Sequence, residues 1–116
     1  MIDFGTAILA HLVGDYILQN DWMATGKIDS HRVCLVHVCL YTLAFVLFSW
    51  GSLPLWAYAA IALTHYPVDR YGLARKWMGI SGQKGFREHL APWSIIIVDN
   101  TYHLVCAWVI LKLATP

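Results

Sequence analysis

The stretch AAIALTHYPVDRYGLARK, residues 59–76, decides how this chain is read. An apolar run ends in His65-x3-Asp69, and a basic segment follows at once. Residues four apart share one face of a helix. His65 and Asp69 therefore point at one spot near the end of an apolar helix. The same spacing occurs at His11-x3-Asp15 and, in reverse order, at Asp99-x3-His103. A fourth histidine, His37, sits in the apolar run between the first two pairs. The remaining residues act as scaffolding that brings these groups together.

The 116 residues suffice for one domain, residues 1–116, and not for two. Hydrophobic residues make up 59% and charged residues 13%, with a mean hydropathy of +0.55. A small soluble domain has more surface to cover and should be more polar than average. This chain departs the other way, which predicts a lipid solvent. A net charge of +1 supplies no global basic field, so nucleic acid is excluded as a partner. Cys34, Cys39 and Cys106 all fall in apolar runs; their odd number and spacing fit neither a disulfide framework nor a zinc thiolate site, and they read as small buried hydrophobes. The first residues carry Asp3, His11 and Asp15 and lack a basic lead, so they read as a mature helix and not a secretory signal.

Four apolar segments follow, at residues 2–19, 33–50, 53–69 and 92–113. The second holds no formal charge and is close to the length that crosses a hydrocarbon core of roughly 30 Å. Pro54 and Pro92 are expected in the first turns of the third and fourth helices, where a missing N–H costs nothing. Seven of the eight Lys and Arg lie in the linkers at residues 20–32 and 70–89; Lys112 is the exception. The prediction is an all-α, four-helix transmembrane bundle. Its basic linkers are cytoplasmic and both termini periplasmic. Four antiparallel helices then bring His11, Asp15, His37, His65, Asp69, Asp99 and His103 into the cytoplasmic half.

An aspartate at the centre of a spanning helix costs roughly 2.5–3.5 kcal/mol. Three aspartates and four histidines in one layer need compensation, from each other or from an ion. Imidazole and carboxylate donors suit zinc, manganese or iron, as one or two ions. His11, Asp15, His37, His65, Asp69, Asp99 and His103 are the expected ligands, and Asp15, Asp69 and Asp99 the carboxylates expected to take part in catalysis. A divalent metal with an open position lowers the pKa of its water to near 7 and supports phosphoryl transfer. Arg70, Arg75 and Lys84, in the basic third linker, are expected contacts for the anion of a substrate, a small molecule or a lipid.

Plainer readings stand beside these. Each His–Asp pair could simply be a hydrogen bond holding a bundle together. His37 could pair with Tyr41 instead of a metal, and Gln19 could orient a ligand. Pro67 either kinks the helix to aim Asp69 or marks a helix ending at the interface. The basic linker could serve topology or anionic lipid alone. GISGQKG, residues 79–85, lacks the G-K-[ST] of a phosphate loop and reads as a flexible turn. His31 is expected on the surface, and His89 is open. The six tryptophans flank segment ends, as an interfacial belt would.

These residues carry a resemblance. AHLVGDYILQNDWMA, the lone His37 and LTHYPVDRYGLAR resemble the domain of unknown function 3307 family, small membrane proteins of bacteria and phages. The likeness covers essentially the whole chain. More distantly, the chain is similar to inner-membrane proteins linked to the LexA regulon and described as metal-dependent hydrolases. Membership implies a multi-pass protein of the bacterial inner membrane and no known reaction.

The expected function is thus a cytoplasm-facing metal-dependent hydrolase acting on an anionic ester, a phosphoester by preference. A metal-ion or proton transport module is the first alternative, and a small structural or lysis-type phage membrane protein the second. Membrane lipid is an expected partner. Four short helices cover buried polar groups poorly, which leaves a role for a homo-oligomer.

Overall fold

The computed structural model describes residues 2–115. Among them the regular structure is entirely helical: α1 (Phe4–Leu12) running into a π-helical turn (Val13–Ile17), α2 (Asp21–Gly26), α3 (His31–Phe48), α4 (Leu55–Arg70), α5 (Leu73–Ile80), a second π-helical turn (Phe86–Leu90) and α6 (Ser94–Ala114). The chain's own side chains start the first helices. Asp3, Asn20 and Ser30 accept from the backbone N–H groups of Thr6, Met23 and Val33, which would otherwise lack partners.

α1, α3, α4 and α6 form the body. α3 packs on α1 and α4, and α6 closes the ring against both. Four alanines, Ala7, Ala10, Ala57 and Ala107, line the inner faces almost wholly buried. Small residues there let backbones approach closely. Tyr41, Phe45, Ile61, Ile110 and Leu111 fill what remains. Outside, the bundle is apolar: Leu55, Leu63 and Leu113 are 84%, 73% and 72% exposed, while His11, His37, His65 and Asp69 are buried. All six tryptophans are exposed. An apolar exterior around a core that also buries ionisable side chains departs from the arrangement of a water-soluble domain.

Two helices, α3 with 18 residues and α6 with 21, are long and apolar enough to cross a membrane. α4 has 16 residues, and Phe4–Ile17 is shorter still. The histidines and aspartates that end these two helices lower their hydropathy.

Several boundaries differ from expectation. Both basic linkers contain helices, α2 in the first and α5 in the second. α3 begins at His31, so that histidine belongs to a helix. Pro54 is the cap of α4 and not part of its first turn. Pro92 precedes α6 by two residues. Pro67 lies inside α4, which runs on to Arg70, so the helix does not stop at the proline. Residues 79–80 of the glycine-rich stretch finish α5, and the turn follows at Ser81 and Gly82. Cys34 is buried, but Cys39 faces outward. Gly72 turns the corner from α4 to α5 at φ 58°, a left-handed conformation that glycine adopts without strain.

At Gly14 the π-helical turn lies close against α3. A Cβ on Gly14 would lie 2.7 Å from Tyr41 Cδ2 and 3.1 Å from Tyr41 Cα. The tyrosine ring is buried and its backbone belongs to α3, so neither can yield cheaply. Gly14→Ala should destabilise the fold by about 1–3 kcal/mol. Gly79→Ala, which meets nothing within 4 Å, should be neutral or slightly stabilising. Thermal unfolding of the two purified variants tests the difference; equal midpoints would contradict the close contact.

Candidate functional site

Four segments bring their polar residues to one end of the bundle. Asp15 comes from the π-helical turn, His37 from the start of α3, His65 and Asp69 from the end of α4, and Asp99 and His103 from the start of α6. The wider turn at Val13–Ile17, closed by Leu18 N–H to Val13 O at 2.9 Å, shifts the helical register and delivers Asp15 between His37 and His65. π-helical turns of this kind often occur at functional sites.

The donor atoms converge. His37 Nε2 lies 3.1 Å from Asp15 Oδ1 and 2.9 Å from Asp69 Oδ2. His65 Nε2 lies 3.4 Å and 2.9 Å from the same two oxygens. The two histidine Nε2 atoms are 3.0 Å apart. Asp15, His37, His65 and Asp69, all buried, each offer an atom within 4.8 Å of the others. Asp15, Asp99 and His103 form a second such group. Asp69 links the two, since its Oδ1 lies 3.0 Å from His103 Nε2, which is 3.3 Å from Asp99 Oδ2.

Well-angled hydrogen bonds alone do not account for this closeness. Asp15 Oδ1 and Asp69 Oδ2 are buried, and none of their contacts, two histidine nitrogens against each and Lys27 Nζ at 3.1 Å from Asp69 Oδ2, has the angles of a good hydrogen bond. Buried carboxylate oxygens are costly to leave in that condition. Atoms that crowd a common point without sharing protons well are arranged as ligands of a cation. The separations fit: bonds of about 2.0–2.1 Å place tetrahedral donors about 3.3–3.4 Å apart, and octahedral donors about 3.0 Å. These buried Asp and His groups are positioned to hold a metal ion.

Ring stacking fixes the imidazoles. Tyr41 stacks on His65 at 3.7 Å between centroids, and His65 on His103 at 3.8 Å. The outer nitrogens, Nδ1 of His37 and of His65, are buried without partners, so stacking and not a second hydrogen bond orients His65, while the His37 ring lies tilted against it at 5.0 Å.

His11 stands apart from both groups. Its Nε2 meets Asn100 Oδ1 at 2.9 Å, and that oxygen can only accept, so Nε2 carries the proton. Tyr41 O–H then donates to the neutral ring at Nδ1, also at 2.9 Å. Asp15 Oδ2 is 3.7 Å from Nδ1, beyond hydrogen bonding. With both nitrogens engaged, His11 positions the site from behind. Tyr41 thus partners His11, not His37. Asn100 also donates through Nδ2 to Tyr16 O–H at 2.6 Å, tying the end of the first helix to α6.

A cavity of about 390 Å³ opens onto Asp15, Asp69 and Asp99. Gln19 lines it, with a buried Oε1 that lacks a partner. Of the three expected anion contacts, Arg75 lines the cavity. Arg70 does not; it donates to the Ile28 carbonyl oxygen and lies beside His31. Lys84 does not line it either. Lys27, from the end of α2, does: its Nζ lies 3.1 Å from Asp69 Oδ2. Burial works against the Lys27 charge, but the Asp69 and Asp15 carboxylates outweigh it and raise its pKa. Sequence spacing carried no signal for Lys27 or Asn100, because both reach the site through contacts distant in the chain. His89 is exposed near Glu88, away from the cluster.

A family model described as "Protein of unknown function (DUF3307)" matches residues 4–116. No curated protein and no solved structure matches the chain.

Tyr41→Phe removes the donor to His11 Nδ1 and leaves a buried acceptor unpaired, while retaining the stack on His65. It should cost about 1–3 kcal/mol of stability. An unchanged midpoint in thermal unfolding would show that the Tyr41–His11 bond does not hold the site.

Proposed function

We propose that this chain, which belongs to the DUF3307 family, is a membrane-embedded metal-dependent hydrolase acting on an anionic ester, a phosphoester by preference. The observation that carries the reading is the convergence of His37 Nε2, His65 Nε2, Asp15 Oδ1 and Asp69 Oδ2, all from buried side chains. Two nitrogen and two oxygen donors suit zinc, manganese or iron. Asp99 and His103, linked to the first group through Asp69, favour a second ion. Such an ion would act as a Lewis acid and supply a water ionised near neutral pH. The chain's own part is to hold Asp69 between His37, His65 and His103, to keep Asp15 and Asp69 dry, and to leave Asp99 facing the cavity. The side chain of Asp99 is 27% exposed, against 5% and 1% for Asp15 and Asp69. It is the carboxylate placed to accept a proton from a water entering the cavity.

The membrane reading rests on the apolar exterior, the exposed tryptophans and the distribution of charge. Lys27, Arg32, Arg70, Arg75, Lys76, Lys84 and Arg87 all lie in or beside the segments at the cluster's end of the bundle. By the positive-inside rule that end is cytoplasmic, in a bacterial inner membrane, and both termini are periplasmic. All four body helices then cross the bilayer. α4, about 24 Å long, is shorter than the hydrocarbon core, and thinning of the bilayer or snorkelling of Arg70 would accommodate it. Transport fits less well, because among the described residues the core beyond the cluster is packed with Ala7, Phe45, Ala57 and Ile110, with Thr42, Ser49 and Tyr58 as its few polar groups.

Two measurements test these readings. Metal analysis of detergent-purified protein should find one to two equivalents of zinc, manganese or iron, reduced about tenfold or more in Asp15→Asn and Asp69→Asn. Folded protein that takes up no metal after loading would sink the hydrolase reading and leave a polar bundle. Separately, a phosphatase reporter active only outside the cytoplasm should be active when fused after residue 116 and silent when fused at Gly82. The reverse pattern would overturn the orientation.

A further inference from the structure

The cavity above the carboxylates has two kinds of wall. Its floor is Asp15, Asp69 and Asp99, and Lys27 and Arg75 are the cations that line it. Val68, Ile95, Ile96, Ala24, Ile28 and Ala74 supply apolar lining. A site for a soluble phosphoester would need polar groups around the rest of the ligand. Here, apart from Gln19 and the Tyr16 hydroxyl, which Asn100 already engages, the lining beyond the floor and the cations is hydrocarbon, in a volume within the range of small-molecule sites. The rim is also apolar and open to the outside of the bundle: Ile28 and Ile96 are each 50% exposed and Tyr16 is 46% exposed. Ile96 and Tyr16 lie beside Ile97 and Ile17, which the bundle turns outward. A chain of methylenes can therefore run from the floor to the apolar flank without crossing a polar collar.

We propose that this cavity takes the phosphate ester of a long-chain alcohol. The phosphate sits at the floor between Lys27 and Arg75, and the alkyl chain lies along Val68, Ile95 and Ile96 toward the flank. Two cations match a dianionic terminal phosphate better than a singly charged diester. The proposal rests on the metal-centre reading, because three carboxylates alone would repel a phosphate. The reaction is balanced by water alone. The water oxygen bonds to phosphorus, the bond from phosphorus to the alkyl oxygen breaks, and one proton from the water ends on the departing alcohol. The products are a long-chain alcohol, which stays in the bilayer, and inorganic phosphate, which leaves to water.

Dodecyl phosphate is a suitable probe, with inorganic phosphate and dodecanol as its two halves. Metal-loaded protein in neutral detergent is titrated with each, and native mass spectrometry reads bound ligand and bound metal in the same spectrum. Dodecyl phosphate should bind at least about tenfold more tightly than either half, since each half forfeits one set of contacts. Arg75→Gln and Ile96→Ser should each weaken it about five- to tenfold with metal content unchanged. Phosphate or dodecanol binding as tightly as dodecyl phosphate, in protein that holds its metal, would overturn the proposal and leave the metal centre standing. So would variants that bind like the parent. Protein that holds no metal after loading would remove the hydrolase reading, and this proposal with it.

Discussion

Two buried carboxylates, Asp15 and Asp69, impose the constraint that organises the molecule. Each is nearly excluded from solvent. A bare carboxylate in such surroundings is unfavourable by several kcal/mol even after local relaxation. Every nearby feature answers that cost. Three histidines lie against Asp69, two of them also against Asp15, and Lys27 closes the open side of Asp69. The aromatic stack through Tyr41, His65 and His103 keeps those rings from turning away. Alanines on the inner faces bring four helices near enough for side chains from all of them to meet. The polar cluster and the small-residue core are therefore one design, since looser packing would separate the ligands.

The hydrogen-bonded chain from Tyr41 through His11 and Asn100 to Tyr16 serves a different purpose. It crosses from α3 to the first helix, to α6 and back to the first helix. Its members lie outside both donor groups and yet set the spacing of the elements that carry them. His11 has the residue type and spacing of a ligand, and its neighbours alone show that its nitrogens are engaged elsewhere.

Much of this was legible in the chain itself, and the boundary of legibility has a physical cause. Spacing of four is a local property of helices, so His65 with Asp69 and Asp99 with His103 could be recognised as pairs sharing a face. Alternation of apolar runs with basic linkers placed those pairs at one end. What depends on contacts distant in sequence could not be recognised. Lys27 looks like any linker lysine until α2 packs on α3 and its side chain reaches Asp69 at the end of α4. The roles of Arg70 and Arg75 separate only when the corner at Gly72 sends one toward Ile28 and the other toward the cavity. The π-helical turn leaves no periodic signature, because one extra residue in a turn is invisible to a count of apolar positions. Gly14 is its single trace, and a glycine in an apolar helix has many causes.

The chain also divides into two hairpins at the short link around Gly51. The first hairpin contributes Asp15 and His37, and the second contributes His65, Asp69, Asp99 and His103. Neither holds the first group of donors by itself. An ion bound there fastens one hairpin to the other, so its binding free energy becomes part of the free energy of their docking. Such an ion would also be a clasp for tertiary structure, and its loss would loosen the junction between hairpins while leaving each helix its own hydrogen bonds.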